Sequence, residues 1–462
     1  MPIEPMSGDN TTWGSQLPFP WRPFVSFASM LALIYGSWLL AFWPGVLGED
    51  SLAVLLEIEH PANQHSGKPA LWYWFVRLCY EGTRRVEVPI AILMGLAVLV
   101  FSRILAWYWQ QGLRKSCVAL LLLVCATPHM VYFAGTLYPD GYYAIAVAGL
   151  LFELWLAVKT GRMSTAGLLV TAATLPFAAF ARPNGIIFLA PVAIALLWVD
   201  RRSRVWIAVI LLTSIGLNIV ATQTRRDIPS HGVLFPLAIF ETANFLQPRP
   251  MNLWTSKPRV LPDTVQLLQR RGIYDQVVRY YDPDYWDPLV FNPQGPRVMG
   301  LPKEDRKALV RQFLTYNIWH NIPRFAGSRL NVMLTSAFAQ GGLPAHSYAV
   351  HVLAQLKAKS LFRLHDWGTA ETWLFRAYEC SYEWRWLLWT PFVGIALTLW
   401  ALVAGWRRRE RALLLVGVPM GIQLGAITLF SIAGEYRYLL PFFTMPLVLI
   451  PAFLGIGSNT DS

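Results

Sequence analysis

An all-α polytopic membrane protein is the fold class this sequence predicts, and three observations carry it. Of 462 residues, 55% are hydrophobic and only 14% are charged, against a usual charged share of about 25%. The apolar residues gather into runs of about 18 to 22, the length that crosses roughly 30 Å of hydrocarbon at about 1.5 Å per helical residue. The basic residues sit at the ends of those runs. A net charge of +12 therefore reads as membrane topology and not as a nucleic-acid-binding face, which would place basic residues along one solvated surface with interleaved aromatics.

Taken along the chain, the expected spans are 23–43, 87–108, 117–135, 141–158, 164–180, 185–199 and 205–222, then 386–405, 412–430 and 438–456, about ten in all. The first run follows a polar stretch and continues to spanning length, unlike a cleavable signal. Arg114 and Lys115, Lys159 and Arg162, Arg201, Arg202 and Arg204, and Arg407, Arg408, Arg409 and Arg411 all fall on one side of this ladder. By the positive-inside rule that side is cytoplasmic, and both termini lie there too. Three regions follow: a seven-helix membrane module over 1–222 that includes an outward loop at 44–86, an outward region over 223–385, and C-terminal spans over 386–462. In the outward region Leu309, Phe313, Ile318 and Ile322 recur at helical spacing around Arg311, which predicts amphipathic helices lying on the bilayer surface.

The outward turns are "TLYPDG" (136–141), "ARPNG" (181–185) and "AGEYRY" (433–438). Short outward turns are ordinarily poor in Lys and Arg, so Arg182 and Arg437 need a reason. Glu49, Asp50, Asp140 and Glu435 share their depth. Charges at the membrane boundary are costly unless solvated or paired, so this set predicts a polar cavity. Arginine offers a planar fork that matches a phosphate or carboxylate. A carboxylate there can take a proton from a hydroxyl nucleophile or hold a metal ion that bridges phosphate oxygens. His65 and Lys68, in "HSGKPALWYW" (65–74), lie on the same outward segment, Lys68 as a further phosphate contact.

An acid in the first outward loop ("PGVLGEDS"), a second between spans three and four ("LYPDGYYA"), "RPNG" after span five and "EYRYLLP" entering the last span together resemble the GT-C superfamily of integral membrane glycosyltransferases. The resemblance implies inverting transfer of a sugar from a polyprenyl-phosphate-linked donor to a glycan or lipid acceptor on the non-cytoplasmic face. It implies Asp50 as the catalytic base, with Glu49 as the alternative. It makes Asp140 a site for donor phosphate or for a divalent cation, and gives Arg182 and Arg437 the donor phosphate, with Glu435 orienting Arg437. Pro139 stands where many members have Lys. Compact loops suit a bacterial inner membrane with a periplasmic site.

Other readings compete for several of these residues. Asp50 and Glu49 also suit the first turn of a helix, and Asp140 suits a Pro-Asp-Gly turn. Glu153 inside span four offers either a proton relay or a pair with Arg103. Among the cysteines, Cys117 and Cys125 read as small core residues, and Cys79 and Cys380 are the two that could pair on an oxidising side. The histidines His129, His231, His320, His346, His351 and His365 show no metal-ligand spacing, and Asn10 in "NTT" falls on the cytoplasmic side. A transporter or lipid-linked glycan flippase would set its charges near the bilayer midplane in repeated halves. A glycan polymerase or ligase using a diphosphate-linked donor would share the outward arginines.

Overall fold

The computed structural model describes residues 19–62, 65–125, 127–225, 234–248, 260–340, 353, 356, 358–360 and 368–454. Asn10, His231, His346, His351 and His365 lie outside them. The membrane module begins with α1 (Trp21–Ala41), followed by α2 (Glu49–Glu59) and α3 (Ala70–Glu81) in the first loop, α4 (Glu87–Gln110), α5 (Arg114–Cys125), α6 (Pro128–Ala134), α7 (Pro139–Thr160), α8 (Thr165–Phe180), a 3₁₀ turn at Pro183–Phe188, α9 (Leu189–Ala195) and α10 (Arg201–Gln223). The region over 223–385, called the outward region below after its expected side, holds α11 (Leu234–Leu246), α12 (Pro262–Arg270), α13 (Tyr274–Arg279), α14 (Asp287–Val290), α15 (Lys303–Gln312) and α16 (Ile322–Ala337). Then come α17 (Thr369–Glu383), α18 (Arg385–Leu388), α19 (Phe392–Arg408), α20 (Arg411–Phe430), α21 (Leu440–Thr444) and α22 (Pro446–Phe453).

The chain is an all-α polytopic membrane protein. Seven helices among the described residues are long and apolar enough to cross a membrane: Trp21–Ala41, Glu87–Gln110, Pro139–Thr160, Arg201–Gln223, Arg385–Arg408, Arg411–Phe430 and Tyr436–Phe453. An eighth is reached if α5 and α6, bent by 58°, count as one span. The expected span at 117–135 breaks there because Pro128 brings no backbone donor and Thr127 before it is extended (φ −91°, ψ 98°). The expected spans at 164–180 and 185–199 become the 16-residue α8 and the shorter Pro183–Ala195. Sixteen residues reach only about 24 Å, short of roughly 30 Å of hydrocarbon.

The core is built around α7, of whose apolar window 89% is buried, with α4, α8, α20 and α21 packed on it. The intramembrane charge Glu153 on α7 meets Arg103 of α4 at 2.9 Å with both side chains buried, so of the two readings the ion pair is the one formed. All four cysteines are free, Cys79 and Cys380 included.

The outward region forms a small core of its own from Phe235, Ile239, Phe240, Leu268, Leu289, Leu309 and Val332. Leu309 and Phe313 are buried, in cores shared with α11, while Ile322 is 51% exposed. A π turn at Phe313–Asn317 and the Pro323 start of α16 break the helical register between them. The apolar α11 supplies the face on which α15 and α16 pack. At its centre Glu241 is fully buried and pairs with Arg329 of α16, which also donates to the Ser431 carbonyl, while Ser328 Oγ donates to Glu241 at 2.8 Å. That carbonyl lies six residues before Arg437, so the pair anchors the outward core to the membrane edge.

Removing one partner of a buried ion pair strands the other charge, so Glu241→Ala is expected to cost about 3–5 kcal/mol. Asp305→Ala, which breaks a pair whose Arg271 is 47% exposed, should cost less than about 1 kcal/mol. Thermal unfolding of the two detergent-purified variants measures the difference; equal losses would contradict the anchoring role.

Candidate functional site

Two short backbone pairings decide which side chains meet at the outward edge. In the first, Val46 pairs in parallel with Thr136, its N–H donating to the Gly135 carbonyl at 2.8 Å, and Ser51 Oγ lies 3.1 Å from Thr136 Oγ1. Gly45 enters this pairing at φ +125° with the Gly135 carbonyl against its Cα, a place and a conformation that exclude a side chain. Gly141 is equally constrained, since a Cβ there would collide with the Phe133 carbonyl. Trp72 Nε1 of α3 holds the Leu137 carbonyl at 3.0 Å. The start of α2, carrying Glu49 and Asp50, is thereby fixed beside the turn that carries Tyr138 and Asp140.

In the second pairing, Tyr285 bridges Ala433 in antiparallel sense, the Trp286 N–H donates to the Ile432 carbonyl at 3.1 Å, and the Gly434 N–H donates to the Asp284 carbonyl at 2.7 Å. Glu435, Tyr436 and Arg437 follow directly. The loop 284–287 is thus laid against the segment 432–434 that leads to Arg437.

Within this frame the expected residues form linked ion pairs. Asp50 Oδ2 accepts from Lys68 Nζ at 2.6 Å and from Arg437 Nη1. Arg437 Nε binds Glu435, as expected, and its guanidinium lies 4.6 Å from the centre of the Tyr138 ring and 5.5 Å from that of Tyr438. Arg182 pairs with Asp140, which is buried, and lies over the other contact ring, Tyr438, at 4.8 Å. Glu49 and Asp50 do occupy the first turn of α2, so the helix-start reading and the ion-pair reading hold together. His65 is exposed and makes no hydrogen bond or ion pair with the cluster.

Burial raises the Asp50 carboxyl, but the adjacent ammonium of Lys68 and guanidinium of Arg437 outweigh it and hold the group at about 2. Burial lowers the Lys68 amine, and Asp50 opposes that effect. Asp50 therefore stays ionised near neutral pH. Among the described residues no group of three or more His, Cys, Asp or Glu side chains is disposed to hold a metal ion. Asp140, expected near donor phosphate or a metal ion, has Arg182 at its carboxylate.

Sequence reasoning missed Asp287, Tyr138, Tyr438 and the pair Glu57–Arg225. Asp287 belongs to the Pro- and Asp-rich run "YYDPDYWDPLVFNPQGP", which reads locally as loop. Its approach to the site depends on the pairing of 284–286 with 432–434, which no local pattern encodes. Burial, then the carboxylates of Glu435 and Glu49, push its carboxyl up to about 6, against the pull of Arg437. An apolar cleft with room for about 180 Å³ lies between α9 and α20, lined by Ile187, Ala190, Pro191, Ile194, Val418 and Ile422. It starts five residues along the chain from Arg182.

No family model matches the chain, and neither a curated protein nor a solved structure matches it significantly.

Asp287 gives a pH signature. Its folded value of about 6 lies above the ordinary 3.8, so the folded protein binds the extra proton, and stability falls as pH rises through that window. Asp287→Asn mimics the protonated form. It should raise the melting temperature at about pH 8 and leave it unchanged at about pH 4, as read by differential scanning fluorimetry. A gain of the same size at both pH values would contradict the crowding of carboxylates at this position.

Proposed function

We propose that this chain is an inverting glycosyltransferase that moves a sugar from a polyprenyl-phosphate lipid to a cell-envelope glycan or lipid acceptor on the non-cytoplasmic face. The observation that carries the reading is a carboxylate, Asp50, held between two cations, Lys68 and Arg437, at the edge of apolar spans. A third cation, Arg182, belongs to the same cluster through the Tyr438 ring that it shares with Arg437. Cations at that depth suit the phosphate of a lipid whose tail stays in hydrocarbon. The apolar cleft between α9 and α20 supports the same reading, because its lining from Ile187 to Ile194 and from Val418 to Ile422 offers an apolar surface for a lipid tail.

In the proposed step the acceptor hydroxyl oxygen attacks the anomeric carbon from the face opposite the phosphate. The new C–O bond forms as the bond from that carbon to the phosphate oxygen breaks, which inverts the centre. The electron pair leaves on polyprenyl phosphate, whose growing charge Lys68 and Arg437 stabilise. The acceptor's proton passes to Asp50.

Asp50 at about 2 is a weak proton acceptor while both cations rest on it. A donor phosphate competes for Lys68 and Arg437, and each contact it takes raises the basicity of the carboxylate. The base is strengthened by the arrival of the donor. Glu49, in the same helical turn, is the alternative base. A phosphate acceptor, already ionised, needs none, and Asp50 would then orient a ligand.

The reading is tested by deleting the gene and restoring either the native chain or Asp50→Asn at matched membrane abundance, then comparing envelope glycans and polyprenyl-linked sugars by mass spectrometry. The expected result is one sugar lost on deletion and regained with the native chain only, with the carrier-linked sugar accumulating beside Asp50→Asn. Unchanged glycans on deletion would favour transport. Labelling of single cysteines near Lys115 and Asp50 from either side tests the orientation: Lys115 outside and Asp50 inside would sink the mechanism.

A further inference from the structure

Lys68 reaches Asp50 from a loop with little regular structure, and something must hold that loop. Asp50 and Glu57 lie seven residues apart on α2, which puts them on one helical face about 10 Å apart along the axis. The chain at 66–68 runs beside that face. Glu57 is buried and accepts from the Ser66 N–H at 2.8 Å and from Ser66 Oγ at 2.5 Å. The Lys68 N–H donates to Ser66 Oγ at 3.3 Å.

Arg225, two residues beyond the end of α10, closes the arrangement. Its Nε and Nη2 bind Glu57 Oε1 at 3.0 and 2.5 Å, Nη2 also meets Oε2 at 2.6 Å, and Nη1 donates to the Lys68 carbonyl at 2.5 Å. The guanidinium lies 4.3 Å from the centre of the Tyr73 ring. Side-chain exposures of 9% for Arg225 and 3% for Glu57 put this among buried, low-dielectric pairs, where geometry is fixed by several simultaneous bonds. One arginine therefore grips a carboxylate on α2, a carbonyl in the loop and a ring on α3.

We infer that Arg225 and Glu57 are positioning residues that set the main chain at Lys68 and so deliver its ammonium to Asp50. The inference deepens the proposed transfer and rests on it for the role of Lys68, but the placement of Lys68 can be read without any substrate. Arginine is required because a single ammonium cannot bind Glu57 through both oxygens and the Lys68 carbonyl while lying on Tyr73. Arg225→Lys keeps the ion pair with Glu57 and loses the bond to the loop. A merely structural ion pair would tolerate that change.

The test acetylates the detergent-purified full chain with a water-soluble N-hydroxysuccinimide ester and follows each lysine by peptide mass spectrometry, with the exposed Lys307 as the internal reference. Arg225→Lys is expected to label Lys68 about threefold faster or more, with a melting temperature near that of the native chain. Ser66→Ala, which removes both hydroxyl bonds, to Glu57 and from the Lys68 N–H, and leaves the Glu57–Arg225 pair, should also raise Lys68 labelling and guards against a misfolded Arg225 variant. Native labelling of Lys68 in both variants would overturn the inference. Faster labelling together with full restoration of envelope glycans by Arg225→Lys would uphold the clamp and count against the transfer reading, so the two fail separately.

Discussion

Charge at the edge of hydrocarbon has to be paired, and that constraint organises the outward face of this protein. Arg437 lies between Asp50 and Glu435, Arg182 meets Asp140, and Arg225 meets Glu57. Each pair joins segments that are distant in sequence, save Glu435 with Arg437. A guanidinium buried without its carboxylate would be costly, and breaking one pair strands the other partner. The same pairs that make the site affordable to the fold also bring its chemistry together. Asp50 accepts from two cations, and across the linked pairs the three carboxylates of Asp50, Glu435 and Asp140 balance the three cations Lys68, Arg437 and Arg182.

Backbone pairing supplies the precision that the charges alone lack. Val46 with Thr136 ties the first loop to the turn before α7, and Tyr285 with Ala433 ties the outward region to the segment before Arg437. Both pairings sit within a few residues of a cluster member. The buried pair Glu241–Arg329, with its bond to the Ser431 carbonyl, fixes that region in turn. Rigidity therefore runs from a soluble-type core in the outward region to the membrane edge.

Much of this was legible in the sequence, and the residues show why. Span-length apolar runs and basic flanks gave the polytopic class, because hydrocarbon thickness imposes a length and topology imposes a charge bias. Arg182 and Arg437 stood out because arginine in a short outward turn breaks that bias, and Glu435 was near enough in sequence to read as a partner. Among the described residues seven or eight helices have spanning length where about ten spans were expected, and the difference falls where proline intervenes, since hydropathy of 117–135 and 185–199 does not register the backbone donors lost at Pro128 and Pro183. Asp287 and Arg225 were illegible for a different reason. Each looks like an ordinary loop residue, and its meaning comes from a partner more than a hundred residues away. His65, though close to Lys68 in sequence, makes no bond with the cluster.

The most direct measurement is the affinity of the purified protein for a polyprenyl phosphate, by native mass spectrometry, with the native chain and Asp50→Asn compared side by side. If Lys68 and Arg437 hold the donor phosphate and Asp50 competes for them, Asp50→Asn frees Lys68 and the Nη1 side of Arg437, whose Nε stays on Glu435, and should bind the lipid phosphate several-fold more tightly while failing to support transfer. Equal or weaker binding by Asp50→Asn would contradict a phosphate site built on those two cations.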